Sequence, residues 1–148
     1  MTEEMVTKFI LKKLIDNDWD IVCFDFPQSG TGKLLHPDTL EKSKNQGSIN
    51  PDIVAVKKNI CLFFENKNRF YKNDFIKVNG LINNDIYKRS ISKLLENYSI
   101  DSIFYGIGLP RSEMSEEKQK FNYLVDFIIG VNINQTVEFV YNVHNLEL

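Results

Sequence analysis

Two carboxylates and a lysine stand at spacings that suit metal-assisted chemistry: Asp52, Glu65 and Lys67. Acids that face each other on neighbouring antiparallel strands have Cβ atoms ~5 Å apart, and their repulsion is unfavourable unless a cation lies between them. Carboxylate oxygens suit Mg²⁺, for which Mn²⁺ can substitute, with water and a substrate phosphate as further ligands. Side chains alternate along a strand, so Lys67 is directed to the same face as Glu65. The pattern predicts phosphodiester hydrolysis, in which Lys67 stabilises phosphoryl charge or orients the attacking water.

These side chains need a pair of strands to position them, and the surrounding sequence predicts a hairpin. Two runs rich in β-branched and aromatic residues, Pro51–Val56 and Ile60–Lys67, are separated by Lys57-Lys58-Asn59. A two-residue turn at Lys58-Asn59 places Asp52 opposite Glu65. Because both faces of this hairpin are apolar, we expect it to lie in the centre of a sheet.

The periodicity of apolar residues predicts the remaining elements. A helix is expected from Thr2, its N-cap, to about Asp16, and Asp85 is expected to cap a later helix. Residues 73–83 fit a helix or an irregular segment, and residues 28–50 fit a long polar loop. Strands are predicted at Trp19–Phe26, Ser102–Leu109, Tyr123–Val131 and Thr136–Val143. The sequence therefore predicts one α/β domain over residues 1–148, with a mixed sheet flanked by helices and with C-terminal strands.

Charge is distributed unevenly along a chain whose net charge is only −2. Residues 57–93 hold nine Lys or Arg and three Asp or Glu, whereas the segments on either side are acidic. Aromatic residues lie among these cations, a mixture suited to following a phosphate backbone and packing on sugars or bases. The same pattern is also typical of a solvated helix face.

Composition argues against several other classes of protein. The 43% hydrophobic and 26% charged residues are ordinary for a globular protein. Cys23 and Cys61 both lie in apolar runs, so we expect buried, reduced thiols and neither a disulfide nor a cysteine metal site. No apolar stretch has the length of a signal peptide or a membrane span, and we expect a cytoplasmic protein without a membrane partner. The two histidines, His36 and His144, disfavour a histidine-based metal nuclease.

The acid and lysine pattern resembles a known family. Pro51-Asp52, twelve intervening residues and then Glu65-Asn66-Lys67 are similar to the motif of the PD-(D/E)xK nuclease superfamily, which includes restriction endonucleases and Holliday junction resolvases. The resemblance covers residues 1–109 and implies a restriction-endonuclease-like αβββαβ core. It also implies metal ligands at Asp52 and Glu65, with the Asn66 carbonyl as a further candidate, and a catalytic Lys67.

Two further features extend the resemblance. The family's N-terminal helix often contributes an acid, which Glu3 or Glu4 matches here, and Ser29-Gly30 is similar to a loop of archaeal-type resolvases. Asn66 stands where the family commonly has an apolar residue, so we expect this face of the strand to be exposed.

The resemblance and the basic segment together imply DNA as the partner. We expect DNA contacts from Ser29, Lys33, Arg69, Lys72, Lys77, Lys88 and Arg89. The leading hypothesis is an Mg²⁺-dependent DNA endonuclease of the restriction type, which acts as a homodimer because cutting two strands needs two active sites. The alternatives are a structure-specific Holliday junction resolvase and a non-catalytic nucleic-acid-binding module of the same fold.

Overall fold

A six-stranded mixed sheet forms the centre of the computed structural model, which describes residues 1–26, 32–38 and 47–148. Its strands lie side by side in chain order: β1 (Asp20–Phe24), β2 (Ile53–Lys57), β3 (Ile60–Asn66), β4 (Ser102–Pro110), β5 (Phe127–Val131) and β6 (Val137–Asn142). Strand β4 is parallel to β3 and to β5, and the other neighbouring pairs are antiparallel. The predicted α/β class, with a mixed sheet flanked by helices, is confirmed.

Within the described ranges, three α-helices flank the sheet: α1 (Glu3–Asp16), α2 (Lys72–Asn83) and α3 (Lys88–Leu94). The Thr2 hydroxyl accepts a hydrogen bond from the Met5 N–H at 3.2 Å, so the predicted N-cap of α1 is confirmed. The segment expected to be helical or irregular is helix α2. The predicted cap at Asp85 is wrong, because Asp85 lies inside a short 3₁₀ turn and the Asn84 side chain accepts the Ile86 N–H instead.

The β2–β3 hairpin has the register that its turn length predicts. Val54 pairs with Phe63 and Ile53 with Phe64, and Lys58 in the turn adopts a positive φ of 55°. Residues 53–56 and 61–64 are buried, which places the hairpin in the interior of the sheet as expected.

Alternating side chains of this hairpin serve two separate apolar layers. Helix α1 packs Val6, Ile10 and Leu14 on one face, against a cluster that includes Phe64. On the opposite face, Phe63 belongs to a cluster that includes residues of α3. Helix α2 covers the neighbouring strands β4 and β5 on that same face through Phe75 and Val78. Helices therefore cover both faces of the sheet near the end of β3.

The strand predicted at Tyr123–Val131 is wrong in its first half. Residues Lys118–Leu124 form a 3₁₀ helix, and β5 begins only at Phe127. The Phe121 ring packs 5.7 Å from Phe70, centroid to centroid, and the Asp126 carboxylate accepts the Tyr105 N–H at 2.9 Å. These contacts with residues distant in sequence determine the conformation of a segment whose local pattern also fits a strand.

Two expectations about the chain's environment can be compared with the structure. Cys23 and Cys61 are both buried and free, as predicted. Within residues 1–26, 32–38 and 47–148, no helix has the length and apolarity needed to cross a bilayer.

Candidate active site

The C-terminal end of β3 carries the motif residues Glu65 and Lys67. The strand is apolar up to Phe64, and the polar residues Glu65 and Asn66 end it. The Lys67 Nζ lies 2.9 Å from Glu65 Oε1, and the Lys77 Nζ of α2 lies 3.0 Å from the same oxygen. Burial lowers the pKa of Lys67, but contact with the Glu65 carboxylate outweighs it and the pKa is raised. Glu65 is thus held between two ammonium groups.

Asp52 reaches this site from the residue before β2. The regular ladder ends at Ile53 and Phe64, and the Asp52 N–H donates to the Phe64 carbonyl at 2.9 Å. Its carboxylate accepts the Asn66 N–H at 2.6 Å. Burial and the neighbouring Glu65 raise the pKa of Asp52 to about 7, although the Asn66 N–H and Lys67 favour the charged form. The Asp52 and Glu65 carboxylates therefore interact electrostatically. The register of the hairpin, continued by one residue beyond Ile53 and Phe64, places the two residues opposite each other.

Helix α1 brings one of its two N-terminal acids to the site. Glu3 Oε1 lies 3.9 Å from the Lys67 Nζ. Burial raises the pKa of Glu3 against the opposing effect of Lys67, and the Glu65 carboxylate adds to the rise. Glu4 lies apart from this group, because its half-exposed carboxylate pairs with Lys8 at 2.5 Å. Of the two candidate acids, the structure brings Glu3 to Lys67 and leaves Glu4 on the surface.

Asn66 corrects an expectation about exposure. The face that carries it was expected to be exposed, but Asn66 is completely buried. Its Nδ2 donates to the Thr7 hydroxyl of α1 at 3.0 Å. Asn66 faces α1, on the opposite side of the strand from Glu65, and α1 covers that side. The hydrogen bond to Thr7 accommodates the polar side chain where the related motif commonly has an apolar one.

Helix α2 adds Asp74, a residue that the sequence analysis did not single out. Burial raises the pKa of Asp74, Lys67 opposes the rise and Glu65 adds to it. Asp74 lies in the first turn of α2, three residues before Lys77, so both project from one side of the helix toward the end of β3. The spacing of Asp74 and Lys77 in the sequence could have linked them, but it does so only once the segment is known to be helical.

The cluster as a whole carries more acid than base. Its residues are Glu3, Asp52, Glu65, Asp74, Lys67 and Lys77. If all are ionised, the group has a surplus of two negative charges, and partial burial keeps water from screening it. A cation is the natural complement of this arrangement.

The donor set can be tested against a divalent metal. Among the described residues, no three His, Cys, Asp or Glu side chains form a ready-made metal site. Asp52 and Glu65 nevertheless offer two hard oxygen donors, and Mg²⁺ is commonly held by one or two carboxylates with water and substrate phosphate completing its shell. The raised pKa of Asp52 indicates a carboxylate that a cation would return to its charged form. The residues present fit Mg²⁺ in this sense.

The predicted DNA contacts fall into two groups. Near the end of β3, Lys77 pairs with Glu65, the Arg69 guanidinium lies 4.6 Å from the Tyr71 ring centroid, and the Lys72 Nζ lies 5.4 Å from that of Phe121. The second group comprises Lys33, Lys88 and Arg89, all of which are exposed. Ser29 and Gly30 lie outside the described residues.

The second basic group is tied together by backbone contacts. The segment 32–38 is held against α3, since the His36 N–H donates to the Ser90 hydroxyl at 2.9 Å and the Arg89 N–H to Asp38 at 3.2 Å. Lys33 precedes the first of these contacts, and Lys88 and Arg89 begin α3. These contacts bring the segment that carries Lys33 next to the start of α3.

No known protein family, curated protein or solved structure matches the chain. The motif and the geometry of the site are therefore the basis for assigning a function.

Proposed function

We propose that the chain is an Mg²⁺-dependent DNA endonuclease of the restriction type, with its active site at the C-terminal end of β3. The observation that carries the proposal is the surplus of acid in a partly buried cluster that also holds Lys67. Asp52 and Glu65 would hold a divalent cation, which would relieve their repulsion, and Lys67 would be available to contact a substrate phosphate.

The order of elements supports a PD-(D/E)xK-like site. Helix α1 is followed by three antiparallel strands, then by helices and by β4, which is parallel to β3. Pro51-Asp52 precedes β2, and Glu65-Asn66-Lys67 ends β3, so the two halves of the motif meet across one hairpin. This order supports the proposal of a restriction-endonuclease-like αβββαβ core, to which β5 and β6 would be additions at the edge of the sheet.

The three motif residues and Glu3 would then divide the work of the site. When bound, Mg²⁺ or Mn²⁺ supplies an activated water and neutralises charge on the scissile phosphate. Asp52 and Glu65 hold the cation, and the N–H of Asn66 orients Asp52. Lys67, released from Glu65, donates to the phosphate and stabilises the charge that develops on it. Glu3 Oε1, 3.9 Å from the Lys67 Nζ, helps to hold the ammonium in place.

The surrounding surface suits a polyanion. Arg69 and Lys72 follow the motif directly and can contact phosphates next to the scissile bond. Lys33, Lys88 and Arg89 extend the basic surface along α3. We expect a cytoplasmic homodimer, because one active site in each subunit is needed to cut both strands.

One observation favours a second candidate, a non-catalytic nucleic-acid-binding module. Glu65 is already paired with Lys67 and Lys77, so part of the acid cluster is balanced without any metal. Such a module would bind DNA but cleave nothing.

Cleavage of supercoiled plasmid and phage DNA, with Mg²⁺ or with EDTA, tests both candidates. The proposal predicts Mg²⁺-dependent discrete fragments, lost in Asp52→Asn. Preferential cleavage of a four-way junction would instead indicate a resolvase. DNA that is bound but intact in Mg²⁺ and in Mn²⁺ would contradict the nuclease proposal and favour the module.

A further inference from the structure

A buried polar contact joins helix α1 to the strand that carries the motif. Thr7 and Asn66 are both buried, and the Asn66 Nδ2 donates to the Thr7 hydroxyl at 3.0 Å. The surroundings are apolar, with Ile10 of α1 nearby. In such surroundings a hydrogen bond between two side chains has a defined geometry, because no water competes for either group.

The contact is not an efficient way to fill this space. The Asn66 Oδ1 is buried and has no hydrogen-bond partner among the described residues. An unpaired buried carbonyl is unfavourable, and a well-packed apolar side chain would avoid that cost. Gly108 of β4 makes room for the amide, since a Cβ there would overlap Asn66 Oδ1 and the Ile10 Cδ1. The polar pair therefore needs a reason other than stability.

The position of the pair provides that reason. Asn66 stands between Glu65 and Lys67, and its own N–H donates to Asp52 at 2.6 Å. Thr7 lies one helical turn after Glu3, on the same side of α1, so holding Thr7 also holds Glu3. A single side-chain contact thus connects three parts of the candidate active site: α1, the end of β3 and the residue before β2.

We propose that Thr7 is a positioning residue, which fixes Asn66 through its hydroxyl and thereby sets Asp52, Glu3 and Lys67 relative to one another. This inference rests on the proposed nuclease function. Thr7 touches neither substrate nor metal and acts only through Asn66 and the helix.

Substitution of Thr7 separates the hydroxyl from its packing. Thr7→Val keeps the shape but removes the acceptor, whereas Thr7→Ser keeps the acceptor and loses a methyl group. Ile10→Val is a matched control, because it trims a buried α1 side chain near the same strand without any polar role. We expect Thr7→Val to lower single-turnover cleavage by ~10-fold or more at saturating DNA, with DNA affinity unchanged. Thr7→Ser and Ile10→Val should stay within about twofold of the parent.

Two further readouts distinguish positioning from a loss of stability. The order of the three variants by cleavage rate should differ from their order by urea unfolding midpoint, because Thr7→Ser and Ile10→Val also lose packing. The side-chain amide resonances of Asn66 should shift in Thr7→Val and stay close to the parent in Thr7→Ser. If Thr7→Val does not fold, Thr7→Ala removes the same acceptor, and the same results are expected from it.

The outcomes that overturn the inference are distinct from failure of the nuclease proposal. An active parent with parent-like cleavage in Thr7→Val removes the positioning role and leaves the nuclease intact. Cleavage rates that fall in the same order as the urea unfolding midpoints of all three variants also remove the positioning role and leave the nuclease proposal intact. A parent that cleaves no DNA in Mg²⁺ or Mn²⁺ overturns both.

Discussion

Charged side chains are arranged in contrasting ways on the outer face of α1 and at the end of β3. On α1, Glu4 pairs with Lys8 and Lys12 with Asp16, each at 2.5 Å and each with half or more of both side chains exposed. These pairs are balanced, four residues apart and surrounded by water. Such pairs are typically worth only a few tenths of a kcal/mol.

At the end of β3 the same residue types serve a different purpose. The side chains of Glu65 and Lys67 are only 14% and 20% exposed, and they come together with acids from α1, α2 and the residue before β2. Here acids outnumber lysines, and burial raises the pKa of Asp52 to about 7. The contrast shows that partial burial and unequal numbers of acids and lysines, rather than ion pairs as such, distinguish the proposed site from an ordinary charged surface.

The largest effect should follow from removing a carboxylate of the β3 cluster. We expect Asp52→Asn and Glu65→Gln to lose all detectable Mg²⁺-dependent cleavage while remaining folded, because each replaces a proposed, charged metal ligand by a neutral amide of similar shape. Plasmid cleavage beside circular dichroism provides the measurement, with Glu4→Gln on the outer face of α1 as the control. Substantial cleavage by either variant would remove these residues from the site.

Lys67→Ala should have the next largest effect. We expect metal and DNA binding close to the parent, but single-turnover cleavage at least ~100-fold slower, because the ammonium acts on charge that develops during the reaction. Lys67→Arg should restore little, since the planar guanidinium is larger than the ammonium and differs from it in shape. Lys12→Ala is the matched exposed lysine and should cleave normally. A parent-like rate in Lys67→Ala would show that the resemblance is accidental at this position.

The pH dependence of stability should report the state of Asp52. Because its pKa rises from 3.8 to about 7 on folding, the folded chain keeps a proton that the unfolded chain releases. This contribution is present below pH ~4 and is lost as pH rises to about 7, so the parent should lose stability across that window. Asp52→Asn lacks this dependence, so across that window its free energy of unfolding should rise relative to that of the parent by up to ~4 kcal/mol.

Urea unfolding in EDTA at several pH values measures that difference. Mg²⁺ should raise the stability of the parent above pH 7 and leave that of Asp52→Asn almost unchanged, because a ligand stabilises only the state that binds it. A difference between the two proteins that is constant from pH 4 to pH 8 would contradict the assignment.

A smaller effect is expected from cations beside the site. Lys72→Glu should weaken DNA binding by about tenfold at low salt, without changing sequence preference, because phosphate contacts position the duplex rather than specify its sequence. Lys12→Glu, on the outer face of α1, should bind like the parent. Fluorescence anisotropy over a salt series tests this, and an affinity independent of salt would remove the basic segment from the interface.

The smallest effect should come from the exposed pairs of α1. Lys12→Ala removes the pair with Asp16 and should change the free energy of unfolding by less than ~0.5 kcal/mol. A loss of more than ~1 kcal/mol in urea unfolding would break the contrast between the two regions, since it would show that an exposed pair can be as consequential as a buried one.

Several features of the site followed from the sequence because they obey local rules. The alternation of side chains and the two-residue turn determine which residues of β2 and β3 face each other, so the meeting of Asp52 with the Glu65 end of the hairpin was predictable. The N-cap at Thr2 and the position of α1 followed from the preferences of helix termini. These rules depend only on residues close in sequence.

Tertiary structure alone decided the rest of the cluster. The choice of Glu3 over Glu4 depends on how α1 is rotated against the sheet, and the arrival of Asp74 and Lys77 depends on where α2 crosses the end of β3. The burial of Asn66 depends on the packing of α1 over the same strand end. Helix rotation and crossing are set by the combined packing of residues distant in sequence, and no local pattern contains that information.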